Sequence, residues 1–440
     1  MDWLPRGPLA RELKDEYSAD DLLRIRQQLE QAGTFRFPTF PSGLFAASIS
    51  DAADFEVTGY QYVWVRDTVQ IAHAHFVTGE VEVAVKAARS LAAFLRTQQP
   101  KLQAIIAGVL DPADPMDRPH IRFDGHRLTE VDEKWAHAQN DALGYFLWLF
   151  SRLVIAGRIQ PTAEEWSLLA DFPRYFQAVR YWEDEDSGHW EEVRKVAASS
   201  IGVVVAALVE YARLTQHPAA SQALQATGVA LEGHALATLL EEGGKSLERI
   251  LPAECIQDDP HQRRRYDAAL LFLIYPLKLI DGPMADAIVE DVTTHLLGDY
   301  GIRRYLGDSY WCADYKKLLS PESRTADFSD NIDARDQLLQ PGLEAQWCIF
   351  DPIISVIYGL RAMKSNDPDD RRLQSLFLNR SLGQLTTEDS RFGAYRCPES
   401  YYRENGEYVP NDITPLLWTQ ANLRLALHWA ELTAAGKVEG

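Results

Sequence analysis

Cysteine is scarce in this sequence, and the four cysteines do not form a pattern that binds metal. Cys255, Cys312, Cys348 and Cys397 are spread over 440 residues without a CxxC pair or an even spacing. Structural zinc sites and secreted disulfide scaffolds need such patterns, so neither is expected. We therefore interpret the four cysteines as reduced residues of an ordinary core.

Long apolar runs are also missing. No segment approaches roughly 18 uncharged apolar residues, the length that a membrane-spanning helix needs, so no membrane association is predicted. The first residues become charged at once and lack the apolar stretch of a secretory signal. The expected location is therefore the cytoplasm.

Positive charge is outnumbered by negative charge. The sequence has 44 Lys and Arg against 64 Asp and Glu, a formal net charge of -20. Apart from the run Arg263, Arg264 and Arg265, no basic stripe interrupts it, so nucleic acid is not expected as a partner. The 11 Trp and 18 Tyr supply flat faces with polar edges that suit sugar rings, although aromatic residues more often serve packing.

No linker or low-complexity segment divides the chain, which favours one large domain over residues 1–440, with its core at about 20–433. Helical spacing of apolar residues recurs almost throughout, whereas strand-like alternation is scarce. The predicted helices span 20–32, 66–79, 82–97, 139–156, 163–180, 196–213, 218–230, 265–275, 284–296, 344–363, 370–383 and 415–433.

These helices predict an all-α fold, an (α/α)6 toroid. Short turns make successive helices antiparallel, and a closed ring of about six hairpins buries every inner helix. An open solenoid would show a sequence repeat of roughly 34 to 45 residues, and we see none.

Tryptophan and charged residues gather at five joints between the predicted helices. The joints lie at 62–67, 134–141, 188–192, 303–305 and 398–402. Alternate joints of a toroid fall at the same end of the ring, so segments far apart in sequence can line one pocket. We expect the functional residues to lie in these five joints.

Two glutamates in these joints suit glycosidic bond cleavage, which needs one protonated carboxylic acid and one ionised carboxylate. Glu191 follows a tryptophan, whose ring would raise the pKa of the carboxyl towards that of a general acid. Glu399 lies among tyrosines whose hydroxyls could keep it ionised. Arg66 and Asp67 offer a donor fork beside an acceptor, which suits two adjacent sugar hydroxyls.

Each of these carboxylates also has an ordinary structural explanation. Asp67 begins an apolar helix and could be its N-cap. Glu191 and Glu192 could be solvated charges in the first turn of a helix, and Glu399 could be loop surface. No single motif therefore decides the function.

The aromatic and histidine residues have ordinary explanations too. Trp64 and Trp135 could serve packing rather than sugar binding. His73 and His75 are two positions apart, so they cannot share a helix face as metal ligands. No metal or cofactor is predicted.

Taken in order, the five joints resemble motifs of the glucoamylase and phosphorylase kinase regulatory-subunit superfamily, that is, family-15 glycoside hydrolases and their relatives. The matches keep their order and comparable spacing over roughly 60–430. Several segments look closer to the kinase-subunit branch than to secreted fungal glucoamylases, namely 135–142, 302–310, 344–347 and 398–402. The resemblance implies an (α/α)6 toroid that releases β-glucose from non-reducing ends by single displacement with inversion.

The resemblance also implies roles for the glutamates. Glu191 matches the general acid, and Glu399 matches the general base, which precedes the final helix. Glu192 matches a neighbour that hydrogen-bonds the sugar. Inversion then predicts carboxyl groups about 6.5–9.5 Å apart, with room for the attacking water.

Two further groups match substrate-binding positions of the family. Trp64, Arg66 and Asp67 resemble the motif whose arginine and aspartate hold the 4- and 6-hydroxyls of the first glucose, which would make the enzyme exo-acting.

A second group concerns the neighbouring sugar. Trp135 resembles the family's subsite tryptophan, with Gln139 and Asp141 at matching offsets. Arg304 resembles the arginine that binds the second sugar, where Trp347 would also stack.

Some features of secreted relatives are not found, namely a starch-binding module, an N-terminal β-sandwich and an apolar residue at the position of His189. The expected partner is therefore a soluble α-glucan or gluco-oligosaccharide. Linkage stays open, because trehalose-specific and α-1,6-specific relatives share these motifs. The main alternative is a non-catalytic regulatory protein that binds sugar or glucan. A further alternative is another toroidal enzyme, such as a trehalase, an α-1,6-specific glucosidase, a lyase or a phosphorylase. A phosphorylase would need a phosphate site in place of Glu399.

Overall fold

The computed structural model of the chain describes residues 6–49, 59–320, 324 and 342–436, and most of them are helical. The α-helices are α1 (Ala19–Ala32), α2 (Val65–Val77), α3 (Val81–Ile106), α4 (Asn140–Ile155), α5 (Ala163–Ala178), α6 (Ala198–Thr215), α7 (Pro218–Ala226), α8 (Gly233–Ile250), α9 (Leu271–Ile274), α10 (Gly282–Asp291), α11 (Tyr315–Leu318), α12 (Asp351–Ser365), α13 (Pro368–Gly383) and α14 (Leu417–Ala434). A 3-10 turn at Ala268–Leu270 leads into α9.

Six helices of the described chain form an inner ring. Helices α2, α4, α6, α9, α12 and α14 contact one another in this order, and α14 closes the ring against α2. A second helix packs outside each one: α3 on α2, α5 on α4, α8 on α6, α10 on α9, α13 on α12 and α1 on α14. The fold is therefore the predicted (α/α)6 toroid of six hairpins.

Much of the inner ring is buried, including the polar residues of α2. Every residue of α2 from Val65 to His75 is buried, as is every residue of α4 from Asn140 to Ser151. Helix α6 is long and apolar enough to cross a membrane by length and composition, with a mean hydropathy of 1.3, yet 78% of it is buried inside the ring. Such burial is that of a core helix in a large helical protein.

Three small antiparallel sheets accompany the joints. The first contains β1 (Val63–Trp64), β2 (Arg122–Asp124) and β3 (Thr129–Glu130), and the second pairs β4 (Cys255–Ile256) with β5 (Arg263–Arg264). The third contains β6 (Gln346–Trp347), β7 (Ser400–Glu404) and β8 (Glu407–Pro410). Trp64 pairs with Arg122, and Trp347 pairs with Ser400. The sheets thus fix the backbone of segments that lead into inner helices.

Some predicted boundaries differ from the structure. The predicted helices include none over Gly233–Ile250, where α8 lies with Gly243, a residue of low helix propensity, in its centre. That glycine is required by packing, since a Cβ there would lie 2.1 Å from the hydroxyl of Tyr181. The predicted helix 265–275 is reduced to α9 and its preceding turn, and the first part of 344–363 is strand β6. All four cysteines are buried and unbonded, as predicted.

Candidate active site

The N-terminal ends of the inner helices meet at one end of the ring, because alternate helices of a toroid run in the same direction. Contacts between joints follow this arrangement. Arg66 in α2 bonds to Asp141 in α4, and the Trp190 indole before α6 donates to Asp267 before α9 at 3.0 Å. Backbone pairing then joins Ile302 to β6, and β6 to β7. The five predicted joints therefore surround one site.

Glu191 occupies one wall of this site. It follows a 3-10 turn, Gly188–Trp190, and has a backbone φ of 54°, in the left-handed region. This conformation costs roughly 1–2 kcal/mol for a residue with a side chain, so the surroundings must impose it. Arg66 Nη2 donates to Glu191 Oε1 at 2.5 Å. The Glu191 side chain is 22% exposed and that of Arg66 only 3%.

Arg66 is held in place by two residues of the second joint. Its Nη1 donates to Asp141 at 2.5 Å and to Gln139 Oε1 at 3.1 Å. The Gln139 amide donates in turn to the carbonyl of Ala136 at 2.7 Å. Asp141 is fully buried, and its Oδ2 accepts from Arg66 and lies 3.7 Å from Nδ1 of His189. Direct contacts of Gln139 and Asp141 with a sugar stay predictions.

Glu192 belongs to a separate buried network. Its Oε1 accepts from Lys195 at 3.0 Å and from Arg264 at 2.6 Å, and its Oε2 accepts from the Tyr305 hydroxyl. Burial opposes ionisation of Glu192, but Arg264 and Lys195 outweigh it and hold the pKa well below its usual range. A hydrogen bond from Glu192 to a sugar stays a prediction.

Glu399 occupies the other wall, where its partners are neutral. The residue is 1% exposed. The Tyr60 hydroxyl donates to Oε1 at 2.5 Å, and the Asn411 side-chain amide donates to Oε2 at 2.5 Å. The Tyr60 hydroxyl also lies 3.2 Å from that of Tyr310. Both donors favour the ionised form of the carboxyl.

The charges of Arg304 and Asp67 shift the pKa values of both Glu191 and Glu399. Burial is the largest influence on both, and it raises the pKa of Glu191 to about 7 and that of Glu399 to about 8. Arg304 lowers both pKa values and Asp67 raises both. A pKa near 7 suits a general acid at neutral pH. Glu399 must lose its proton to act as a base, which its two hydrogen-bond donors favour.

Arg304 is a rigid cation on this site. Asp308 accepts two hydrogen bonds from it, at 2.7 and 2.8 Å. Its guanidinium lies 4.7 Å from the ring centre of Trp347 and 5.1 Å from those of Trp190 and Tyr310. The ion pair fixes the fork, and the rings stabilise the charge.

Trp64 and Trp135 form an aromatic pair with ring centres 5.5 Å apart. The Trp64 indole donates to the carbonyl of Gly59 at 3.1 Å. Arg122 covers the Trp135 ring at 3.9 Å and bonds to Glu133 at 2.8 Å. Trp64 therefore has a packing role in addition to its predicted place in the site.

Asp67 is not the N-cap of its helix. Helix α2 begins at Val65 with Trp64 as its N-cap, so Asp67 is its third residue, within the first turn. It is 9% exposed, and burial raises the pKa of its carboxyl to about 6 although Arg66 opposes this. The N-cap interpretation is therefore wrong.

Sequence reasoning missed three residues that contact Glu399 or its partner, namely Tyr60, Tyr310 and Asn411. Tyr60 stands 339 positions from Glu399, and the two meet only because the ring closes. A signal was present in the sequence. Tyr60 lies just before the first joint, Tyr310 ends the matched segment 302–310, and Asn411 lies between the fifth joint and the last helix.

A sequence profile of the Glycosyl hydrolases family 15 matches residues 31–308, more than half of the chain. The chain belongs to glycosyl hydrolase family 15. The matched part of this family-15 chain contains Glu191 and Arg304, whereas Trp347 and Glu399 lie beyond it.

Curated relatives of this family-15 chain include kinase regulatory subunits. The probable phosphorylase b kinase regulatory subunit alpha of Caenorhabditis elegans is 25% identical over 405 residues, which are 82% of this chain and 30% of the relative. The skeletal muscle regulatory subunit alpha of Oryctolagus cuniculus is 25% identical over 206 residues, 44% of this chain and 16% of the relative. The chain thus spans less than a third of either relative.

Solved glycosidases share the fold of this family-15 chain. A wild-type glycosidase has a TM-score of 0.63 at 17% identity and covers 94% of this chain and 99% of its own. A variant of a glycosidase in complex with glucose has a TM-score of 0.62 at 16% identity, with the same coverage. The glucoamylase of Saccharomycopsis fibuligera has a TM-score of 0.60 at 13% identity and covers 96% of this chain and 97% of its own.

Proposed function

We propose that this protein is an inverting, exo-acting α-glucosidase of the glucoamylase type, which releases β-glucose from the non-reducing ends of soluble α-glucans or oligosaccharides. The observation that carries the proposal is the pair Glu191 and Glu399, which come from separate hairpins and feel the same charges of Asp67 and Arg304. Membership of glycosyl hydrolase family 15 supports the same chemistry. So does the glucose complex of a structural neighbour.

In this proposal Glu191 starts the reaction protonated. It gives its proton to the glycosidic oxygen while the bond from that oxygen to the anomeric carbon breaks. Sugar hydroxyls that accept from Arg66 would weaken its bond to Glu191. The pKa of Glu191 would then rise further, which keeps the acid protonated at neutral pH.

Glu399 acts on the opposite face of the sugar. It takes one proton from a water whose oxygen bonds to the anomeric carbon, so the released glucose is the β-anomer. Tyr60 and Asn411 hold the two carboxylate oxygens in place for this transfer. One proton leaves Glu191 and one arrives at Glu399, and exchange with solvent resets the pair. The separation of about 6.5–9.5 Å that this reaction requires stays a prediction.

Glucose release tests the proposal. We expect activity on at least one of maltose, maltotriose, isomaltose, trehalose and glycogen, with the β-anomer as the first product seen by NMR. Glu191→Gln and Glu399→Gln should each lose at least about two decades of rate. Glu248→Gln, on the exposed side of α8, is the matched control and should keep full activity. Release of the α-anomer as the first product would contradict the inverting mechanism.

A second function has its own support. The likeness to kinase regulatory subunits extends over 82% of the chain, which favours a non-catalytic protein that binds sugar or glucan. A protein that binds an oligosaccharide and cleaves no member of the panel would favour this alternative. Cleavage of trehalose or isomaltose alone would indicate a trehalase or an α-1,6-specific glucosidase, and a requirement for added phosphate would indicate a phosphorylase.

A further inference from the structure

A second cavity opens beside Glu192, the residue that follows the proposed acid. Its volume is about 320 Å³, within the range of small-molecule sites. Strand β5 and the residues after it line this cavity together with Tyr305 and Leu306. The run of three arginines that stands out in the acidic sequence thus lines a concave surface.

The charge of this cavity is positive. Among its described lining residues Glu192 is the single acid. Lys195 and Arg264 both pair with Glu192, and Arg264 also pairs with Asp267 at 2.9 Å. Arg265 bonds to Asp291 at 2.6 Å. Arg263 is exposed, and within the described ranges it forms no ion pair. In a chain of net charge -20, the cavity therefore offers guanidinium groups in excess of carboxylates.

The two tyrosine rings that line this cavity are partly covered by other side chains. The guanidinium of Arg264 lies 3.3 Å from the ring centre of Tyr305. The ring of Tyr266 stacks on His295 at 3.9 Å, with Arg265 at 5.2 Å. Protein groups thus cover a face of each tyrosine, which leaves little room for the stacking that usually holds a neutral sugar.

We propose that this cavity binds a phosphate group, either inorganic phosphate or the phosphate of a sugar ester. Guanidinium groups stay charged at all relevant pH values, and their planar forks match phosphate oxygens with two parallel hydrogen bonds. Arg263 supplies a fork that forms no ion pair within the part of the chain that the structure describes. Arg265 supplies a second fork beside it, whose Nη1 also bonds to Asp291 and to the carbonyl of Pro252. The proposal goes beyond glucoside cleavage, because binding here requires no turnover.

Isothermal titration at constant ionic strength tests the site with inorganic phosphate, glucose 6-phosphate and glucose. Both phosphates should bind with an affinity that the arginine variants lower, whereas any binding of glucose should be the same in the wild type and the variants. Arg263→Gln should weaken phosphate binding about tenfold, the usual worth of a hydrogen bond to a charged group, and Arg263→Gln with Arg265→Gln should weaken it more. Arg249→Gln, an exposed arginine of α8, should leave it unchanged.

The titration also separates the two sources of phosphate. Tighter binding of glucose 6-phosphate indicates a sugar ester, and equal affinity indicates that the phosphate group alone is recognised. Absence of phosphate binding at millimolar concentration, or equal affinity in the wild type and the double variant, would overturn the proposal. Because binding is measured without turnover, a failure of the proposed glucosidase activity leaves this result readable.

Discussion

The two walls of the candidate active site hold their carboxyl groups by opposite means. Glu191 is partly exposed and bonds to the cation Arg66, whereas Glu399 is buried and bonds to the neutral donors Tyr60 and Asn411. A sugar hydroxyl could compete with Glu191 for Arg66, so in the proposed reaction Glu191 can change partners. Glu399 keeps fixed partners, which suits its proposed role of orienting one water.

The largest expected difference between variants of Glu191 and variants of Glu399 is in how their rates depend on the leaving group of the substrate. Glu191→Ala should lose about three decades on maltose but less than about tenfold on 4-nitrophenyl α-glucoside, because nitrophenolate departs without a proton. Glu399→Ala should lose a similar factor on both substrates. Steady-state rates of these variants and of Glu248→Ala as control give the comparison. Equal losses for Glu191→Ala on both substrates would remove Glu191 from the acid role.

Substitution of Arg66, the charged partner of Glu191, should lower the free energy of unfolding more than substitution of Tyr60, a neutral partner of Glu399. Arg66→Met leaves Asp141 fully buried without its cation, and we expect a loss of about 3–5 kcal/mol in the free energy of unfolding. Tyr60→Phe should cost about 1 kcal/mol. Urea unfolding measures both. Adding Asp141→Asn to Arg66→Met should recover part of the loss, and no recovery would mean that the buried charge is not its cause.

Glu399, whose partners are neutral, should make the stability of the protein depend on pH. Burial raises the pKa of Glu399 to about 8, so the folded protein holds a proton that the unfolded chain releases above about pH 4.5. The contribution of Glu399 is therefore complete at low pH and is lost as the pH rises towards 8. Relative to Glu399→Gln, the wild type should lose up to about 1.4 kcal/mol per pH unit in this window.

Thermal unfolding of the two proteins between pH 5 and pH 8 checks this sign. A difference in melting temperature that stays constant with pH would mean that Glu399 titrates as it does in the unfolded chain. Glu248→Gln, which changes an exposed glutamate, should show no such trend.

The smallest expected effect concerns the Tyr60 hydroxyl. The wild type should have a bell-shaped pH profile centred between about 7 and 8, since the two raised pKa values belong to one pair. Tyr60→Phe removes a donor that favours the ionised Glu399, so the pKa of Glu399 should rise and the rate at pH 7 should fall about tenfold. Tyr358→Phe, far from the site on α12, is the control. An unchanged profile would assign Tyr60 to packing alone.

The sequence was sufficient to predict the fold because the inner helices follow a strong physical rule. Helices α4 and α6 are apolar on nearly every side, and a closed ring buries such helices. Helices α2 and α14 carry more polar residues but are buried around most of their circumference. The exception is α8, whose central Gly243 indicates a break by propensity but permits close contact with Tyr181. Tertiary packing outweighs propensity there.

The site could be predicted only in part. Glu191, Arg66 and Glu399 lie next to or near tryptophans or tyrosines in the joints, and this local pattern can be read from the sequence alone. The support of Arg66 by Gln139, and of Glu399 by Asn411, depends on side-chain directions that no spacing rule specifies. The arginine run was visible, but its place on a cavity wall depends on the β4–β5 hairpin.

The closing contact between α14 and α2 has a consequence for folding. Tyr60 and Glu399 are 339 positions apart, and contacts of such separation form late because a long loop must close first. The proposed acid meets the proposed base only after the last hairpin has docked. A chain still emerging from the ribosome therefore lacks a complete site, and recovery of activity during refolding should report the final step of assembly rather than the appearance of helices.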